Sequence, residues 1–185
     1  PKLFGAWIEK PTLFSEKKED RHAFFRLFSS VSKMNAIEID KDIELYFDGT
    51  VDHAVYHLQI TVKKGSSVKI IDKIFAKFST SVAIHIVVEE GAKAQYEYVR
   101  ENASQANMRF VSSDVHFGGY FSVAEYISYA GLHMSAFRAD LLGEGAAAKM
   151  YGIFFGNTGD AYDISTESYH SAPHTFSETL SKGVL

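Results

Sequence analysis

Between residues 56 and 150 hydrophobic and polar side chains alternate in short runs, and the runs recur. In YHLQITVKKGSSVKII, Tyr56, Leu58, Ile60 and Val62 alternate with His57, Gln59, Thr61 and Lys63, the two-residue period of a strand with one buried face. A turn is expected at Gly65, after which Val68 and Ile70 resume the same parity. VAIHIVVEEGAKAQYEYV repeats the scheme: Val82, Ile84, Ile86 and Val88 face one way, Gly91 turns, and Ala94, Tyr96 and Tyr98 continue. Val111, Val115, Gly118, Phe121 and Val123 form a third copy with Ser113 as its weak member, and Gly145, Ala148 and Met150 belong to a fourth. In that copy Phe137, Ala139 and Leu141 run one residue out of step, a slip that a bulge or longer turn near Gly143 absorbs. Arg138 and Asp140 take the nominal inward parity, as a buried ion pair or through a change of face at the bulge.

A unit of about 26 or 27 residues holds two strands and two turns, one coil of a β-solenoid. One coil cannot bury its own inner face, so coils must stack and their inward side chains form ladders along the axis. At roughly 1.5–3 kcal/mol per large apolar side chain, five inward residues contribute on the order of 10 kcal/mol per coil before conformational entropy is subtracted. A single coil is therefore marginal and a stack is stable. The competing all-β reading is a cupin-like jelly roll binding a metal or small molecule, which uses similar turns; the paired histidines in HxH spacing that usually accompany it are missing.

Upstream, SEKKEDRHAFFRLFSSVSKM changes period. Ser15 can cap, acidic residues follow, and Phe24, Phe25, Leu27, Phe28 and Val31 form a helical stripe. The expectation is a mainly all-β protein with an N-terminal helical capping segment over residues 1–45 and a β-helix core over 46–185 that is incomplete at its C-terminal end.

With 185 residues, 46% of them hydrophobic, the chain can bury one continuous core. A net charge of −4 supplies no drive toward nucleic acid or an anionic membrane. The lack of cysteine removes disulfides, thiolate nucleophiles and sulfur ligands for zinc or an iron–sulfur cluster. No run approaches the ~18 apolar residues of a membrane span, and PKLFGAWIEK lacks the layout of a signal peptide. A cytoplasmic protein is the resulting expectation. Pro1 in place of an initiator Met, and an ending on Leu185 within an apolar run, lead to the expectation of a longer parent chain; KGVL reads as the start of a further coil, open to a second copy or a partner.

Candidate chemistry is sparse. His170 and His174 are four apart, but Pro173 between them argues against a helical zinc pair and for a bend in a coil. His57 and His85 lie on the outward parity, one repeat plus two residues apart, and are expected near each other at the surface; His22, His53, His116 and His133 have no partner at ligand spacing. Ser177, His174 and Asp163 can be composed into a triad, yet no GxSxG elbow accompanies them. GEGAAAKMYG lacks the Lys-Ser/Thr of a P-loop and reads as a tight turn between strands. These readings assign no catalytic, cofactor-binding or metal-ligating residue and no enzyme activity.

FRADLLGEGAAAKMYGIFFG followed by YDISTESYHSAPHTFSETLSKGVL resembles the SufB/SufD family, the scaffold subunits of SUF iron–sulfur cluster assembly. The resemblance is carried by Arg138, Asp140, Gly143, Glu144, Gly145, Ala146, Asp163, Thr166, His170, Pro173, His174, Thr175, Ser177, Lys182, Gly183, Val184 and Leu185. It implies a right-handed parallel β-helix and a noncatalytic, SufD-like scaffold working with a SufB-like partner and a SufC-like ATPase. Asp160 and Ala161 stand where many relatives carry a Gln-His pair. The cluster-binding Cys or His and the ATPase-docking helices of the family follow KGVL, so the resemblance implies no cofactor within this chain. A stand-alone β-solenoid interaction module is the second function class.

Overall fold

The computed structural model describes residues 2–3, 34–47, 54–74, 79–101, 106–128 and 131–184. Its strands are β1 (Lys2–Leu3), β2 (Asn35–Ile39), β3 (Ile43–Phe47), β4 (Ala54–Val62), β5 (Ser67–Ile74), β6 (Thr80–Val88) and β7 (Lys93–Glu101), then β8 (Asn107–Val115), β9 (Tyr120–Ser128), β10 (Leu132–Leu141), β11 (Ala147–Phe155), β12 (Ala161–His170) and β13 (Phe176–Val184). Odd strands form one sheet in chain order and even strands the other. Every pairing is parallel, each strand bonding to the strand two further along the chain. This is a β-solenoid whose coils are the strand pairs β2–β3 through β12–β13. A cupin-like jelly roll requires antiparallel strands, and the parallel ladders overturn that alternative.

The ladders are those that the alternation predicts. Leu58, Ile84, Val111 and Phe137 stack in register on the even sheet, as do Val62, Val88, Val115 and Leu141. On the odd sheet the stacks are Val68, Ala94, Phe121, Ala148 and Ile70, Tyr96, Val123, Met150. All of these side chains are buried. Phe121 lies between two alanines, the large-beside-small arrangement that fills a shared interior without voids. In the coil formed by β12 and β13 the same ladders end on Thr166, His170, Ser177 and Thr179, so the interior turns from hydrocarbon to hydroxyl there.

The repeat glycines mark one corner of four successive coils, β4–β5 through β10–β11. Gly65, Gly91, Gly118 and Gly145 have φ of 70, 65, 59 and 71°, and their N–H groups donate to Glu90, Phe117, Glu144 and Pro173 carbonyls of the next coil. Each is the third residue of a turn closed by Ser66 N–H to Lys63 O, Ala92 to Glu89, Gly119 to His116 and Ala146 to Gly143, the position where a type II turn demands positive φ. In the following coil the position belongs to His174, with φ 56° and Pro173 favourably before it. A Cβ at Gly91 meets nothing within 4 Å, so Gly91→Ala should lose only the backbone preference, about 1 kcal/mol. His174→Gly should gain a similar amount. Urea unfolding of the two variants checks both.

The fourth copy contains the expected extra residue. Leu142 and Gly143 both donate to Val115 O, so the strand ends one residue earlier relative to its glycine and the parity of β10 is reversed. Phe137, Ala139 and Leu141 point inward and are buried, while Arg138 and Asp140 stand on the outer face. Their nominal inward parity is thereby corrected, the change of face being the cause. KGVL also needs correction: Lys182 to Val184 complete β13, in register with Ile153 to Phe155, and do not open another coil.

The helix expected over SEKKEDRHAFFRLFSSVSKM lies outside the described residues. β2 and β3 form a coil upstream of residue 48, so solenoid strands occur on both sides of the boundary expected at residue 46. Among the described residues no helix is long and apolar enough to cross a membrane.

Candidate functional site

The family-motif residues lie at the turns after β10 and β12 and along β10, β12 and β13. Gly143, Glu144 and Gly145 make the turn after β10. Gly143 tolerates no side chain, because a Cβ there would collide with the backbone of His116 and Phe117 in the coil below. Glu144 is exposed and contributes its carbonyl to Gly118 N–H. Arg138 holds Asp140 through two bonds, Nε to Oδ2 at 2.9 Å and Nη2 to Oδ1 at 3.0 Å, with its guanidinium 4.3 Å from the centre of the Tyr169 ring. Asp163 is exposed on the outer face of β12, away from this group.

His170 ends β12 and is fastened at both nitrogens, Nδ1 to Thr175 Oγ1 at 2.8 Å and Nε2 to Ser177 Oγ at 2.9 Å. Ser177 thus pairs with His170 rather than His174, and the composed Ser177–His174–Asp163 triad is not assembled. Pro173 and His174 form the turn itself. Lys182 is exposed on β13, and Gly183 lies where a Cβ would enter the Phe154 ring. These residues close and stack a coil. Among the described residues no group of three or more His, Cys, Asp or Glu is placed to hold a metal ion.

On the outer face of the even sheet His85 and Ser112 are register neighbours, with Nδ1 to Oγ at 2.9 Å and Nε2 to Asp114 Oδ2 at 3.5 Å. The strand amides beside them belong to sheet ladders, so no pair of free N–H groups is presented as an oxyanion hole requires. His57, expected on the same surface near His85, is on the outward parity but only 4% exposed, which corrects its solvated assignment. Burial, with a smaller contribution from His85, lowers its pKa from 6.5 to about 4. The unfolded chain binds this proton below pH 6.5 and the folded chain only near pH 4, so stability is intact above 6.5 and falls as pH drops through that window. The loss approaches about 3 kcal/mol. His57→Gln should flatten this part of a stability-against-pH curve measured by urea unfolding.

The sequence reading did not identify the buried polar network inside the solenoid. Arg109 on β8 and Asp72 on β5 both have fully buried side chains, with Arg109 Nη2 3.2 Å from each carboxylate oxygen. The guanidinium lies between the rings of Phe47 and Tyr98, 5.1 and 4.6 Å from their centres. Tyr96 donates its hydroxyl to Asp72. Tyr98 donates to Asn107 Oδ1 at 2.9 Å, and Asn107 Nδ2 donates to Thr80 Oγ1 at 2.7 Å. Burial pushes the Tyr98 hydroxyl up to about 12 and Tyr96 well above its ordinary value, so both remain neutral donors. A second set joins Glu125 to His133 Nε2 at 3.1 Å and Ser135 Oγ at 2.9 Å, and the His133 ring stacks on Tyr98 with centres 6.0 Å apart.

These contacts bridge coils from β3 to β10. A one-residue slip of β8 would turn Arg109 to the outer face and leave Asp72 buried and uncompensated, so the network fixes register. The signal was a polar residue at an inward position: Asp72 follows Val68 and Ile70, Arg109 precedes Val111, and Glu125 follows Val123. A cavity lined by Val123, Glu125, Phe137, Met150, Ile164 and Thr166 has about 10 Å³ of room, space for one water and too little for a metabolite.

The fold is a packed parallel β-solenoid whose interior holds the Asp72–Arg109 and Glu125–His133 contacts. The chain belongs to the SufB/SufD family: residues 46–185, about three quarters of its length, match the family described as SUF system FeS cluster assembly, SufBD core domain. It is thereby a component of SUF iron–sulfur cluster assembly. The match begins well upstream of residue 138, where the residue-level resemblance starts, and takes in every coil from β4–β5 onward. No curated protein and no solved structure matches the chain significantly.

Proposed function

We propose that this chain is the core of a noncatalytic scaffold that works with a SufB-like partner and a SufC-like ATPase. The cluster is the cargo of that assembly, held by ligands other than the side chains described above. The observation that carries this reading is the family match across the solenoid. The filled interior and the commitment of Arg138, His170 and His174 to pairing and turns support it, because these residues are occupied in building coils. The scaffold presents surfaces to its partners, and the ATPase supplies the energy.

Inactivating the gene should lower the activity of iron–sulfur enzymes in cells grown at limiting iron, with recovery when the full natural chain is returned. Unchanged iron–sulfur enzyme activity would favour the stand-alone interaction module.

A further inference from the structure

The outer face of the odd sheet is apolar and exposed over β7 to β13. Val99 on β7, Ile153 on β11 and Leu180 on β13 point away from the interior and are 49, 47 and 47% exposed. Val99, Tyr126 and Ile153 are consecutive in register, and Ala124, Tyr151 and Leu180 form the row beside them. The Tyr126 ring lies against Phe155, with centres 6.1 Å apart. Apolar side chains left in water forgo the stabilisation of burial, and a contiguous patch of them marks a contact surface.

The charges around the patch narrow its occupant. Lys69 bonds Glu97 at 2.8 Å, Lys73 bonds Glu44 at 2.7 Å and Lys149 bonds Glu178 at 3.0 Å. Both signs are present and paired, so the face selects neither a polyanion nor a strongly basic segment. Parallel strands in even register make a broad, ordered surface, and what fits one sheet over its whole width is another sheet packed face to face, about 10 Å away. We propose that the odd sheet packs against the odd sheet of a second copy, about a two-fold axis running along β9. That axis exchanges β7 with β11 and β5 with β13. It sets Val99 opposite Ile153 of the second copy, Tyr126 opposite its own counterpart, and Ile71 opposite Leu180. Lys69 meets Glu178, an ion pair made twice by the symmetry. Lys73 meets Lys182 only at the rim, where Lys73 keeps its Glu44 partner. The strands β5 to β13, about 4.8 Å apart and about 30 Å long, offer about 700 Å² per copy, within the roughly 600–1,000 Å² of a standard interface. The proposal goes beyond the SUF reading and does not rest on it.

The test uses the full natural chain without other proteins. Light scattering at micromolar concentration should give twice the mass of one chain. Val99→Glu changes an exposed side chain, so it should leave the urea midpoint in place while weakening dimerisation about tenfold or more, the effect of burying an unpaired charge. Lys69→Glu should weaken it as well, and adding Glu178→Lys should restore it. Within one copy those two residues lie four strands apart, so restoration reports contact between copies. Because the sequence contains no cysteine, Tyr126→Cys supplies a single thiol on the axis. A bis-maleimide of about 10 Å reach, the spacing of packed sheets, should join two copies through it and should not join them through Asp163→Cys on the even sheet. A chain that is monomeric at micromolar concentration overturns the proposal. So does a dimer that Val99→Glu leaves intact, or one that fails to cross-link at Tyr126→Cys.

Discussion

Replacing Arg109 with alanine is expected to destabilise the protein by about 3–5 kcal/mol, because it leaves the Asp72 carboxylate buried without its cation. Asp72→Ala should have a similar effect for the complementary reason. Neither loss measures the net worth of the ion pair. Removing both charges with Arg109→Met and Asp72→Leu should recover most of the stability, since the desolvation of two ions disappears together with their attraction. Tyr96 retains a hydroxyl in need of an acceptor, which keeps the recovery incomplete. Urea unfolding of Arg109→Met, Asp72→Leu and the double variant measures the coupling. Two single losses that simply add in the double variant would contradict a direct buried pair.

Gly143→Ala is the second large effect. A Cβ at this position collides with backbone atoms of His116 and Phe117, and that backbone is held in place by Gly91 N–H to Phe117 O at 2.9 Å and Gly118 N–H to Glu144 O at 2.9 Å. No rotamer change relieves the overlap, so the loss should reach or pass the upper end of overpacking, about 3 kcal/mol. Gly183→Ala meets only the Phe154 side chain, which can turn aside, and should lose less. The order Gly143 above Gly183 above Gly91 in urea unfolding separates backbone collision, side-chain crowding and positive φ.

The solenoid was legible because its signal is local and repeated. Gly65, Gly91, Gly118 and Gly145 each bring the same turn, and the parity before and after them names the inward side chains without knowledge of their partners. The slip before Gly143 was visible as well, but assigning Arg138 and Asp140 to a face required knowing which side of the turn absorbed the added residue. The two N–H groups sharing Val115 O decide it. Asp72 and Arg109, separated by 37 residues, were hidden for another reason. Each alone looks like an imperfection in an apolar ladder, and only stacking of non-adjacent coils makes them a pair. His57 was read as outward, correctly, and as solvated, incorrectly, because parity reports the face and not what covers it. Among the family motif, the turn residues Gly143, Gly145 and Pro173 declare their purpose in sequence, whereas His170 acquires its two hydroxyl partners only through the bend at His174.

If this solenoid is a working part of a SUF assembly, the mass of what it binds should show it. Full natural chain co-expressed with a SufB-like and a SufC-like protein, purified anaerobically and weighed by light scattering, should emerge in one stable species containing all three. A well-folded chain that elutes alone, while the other two associate without it, would contradict the account.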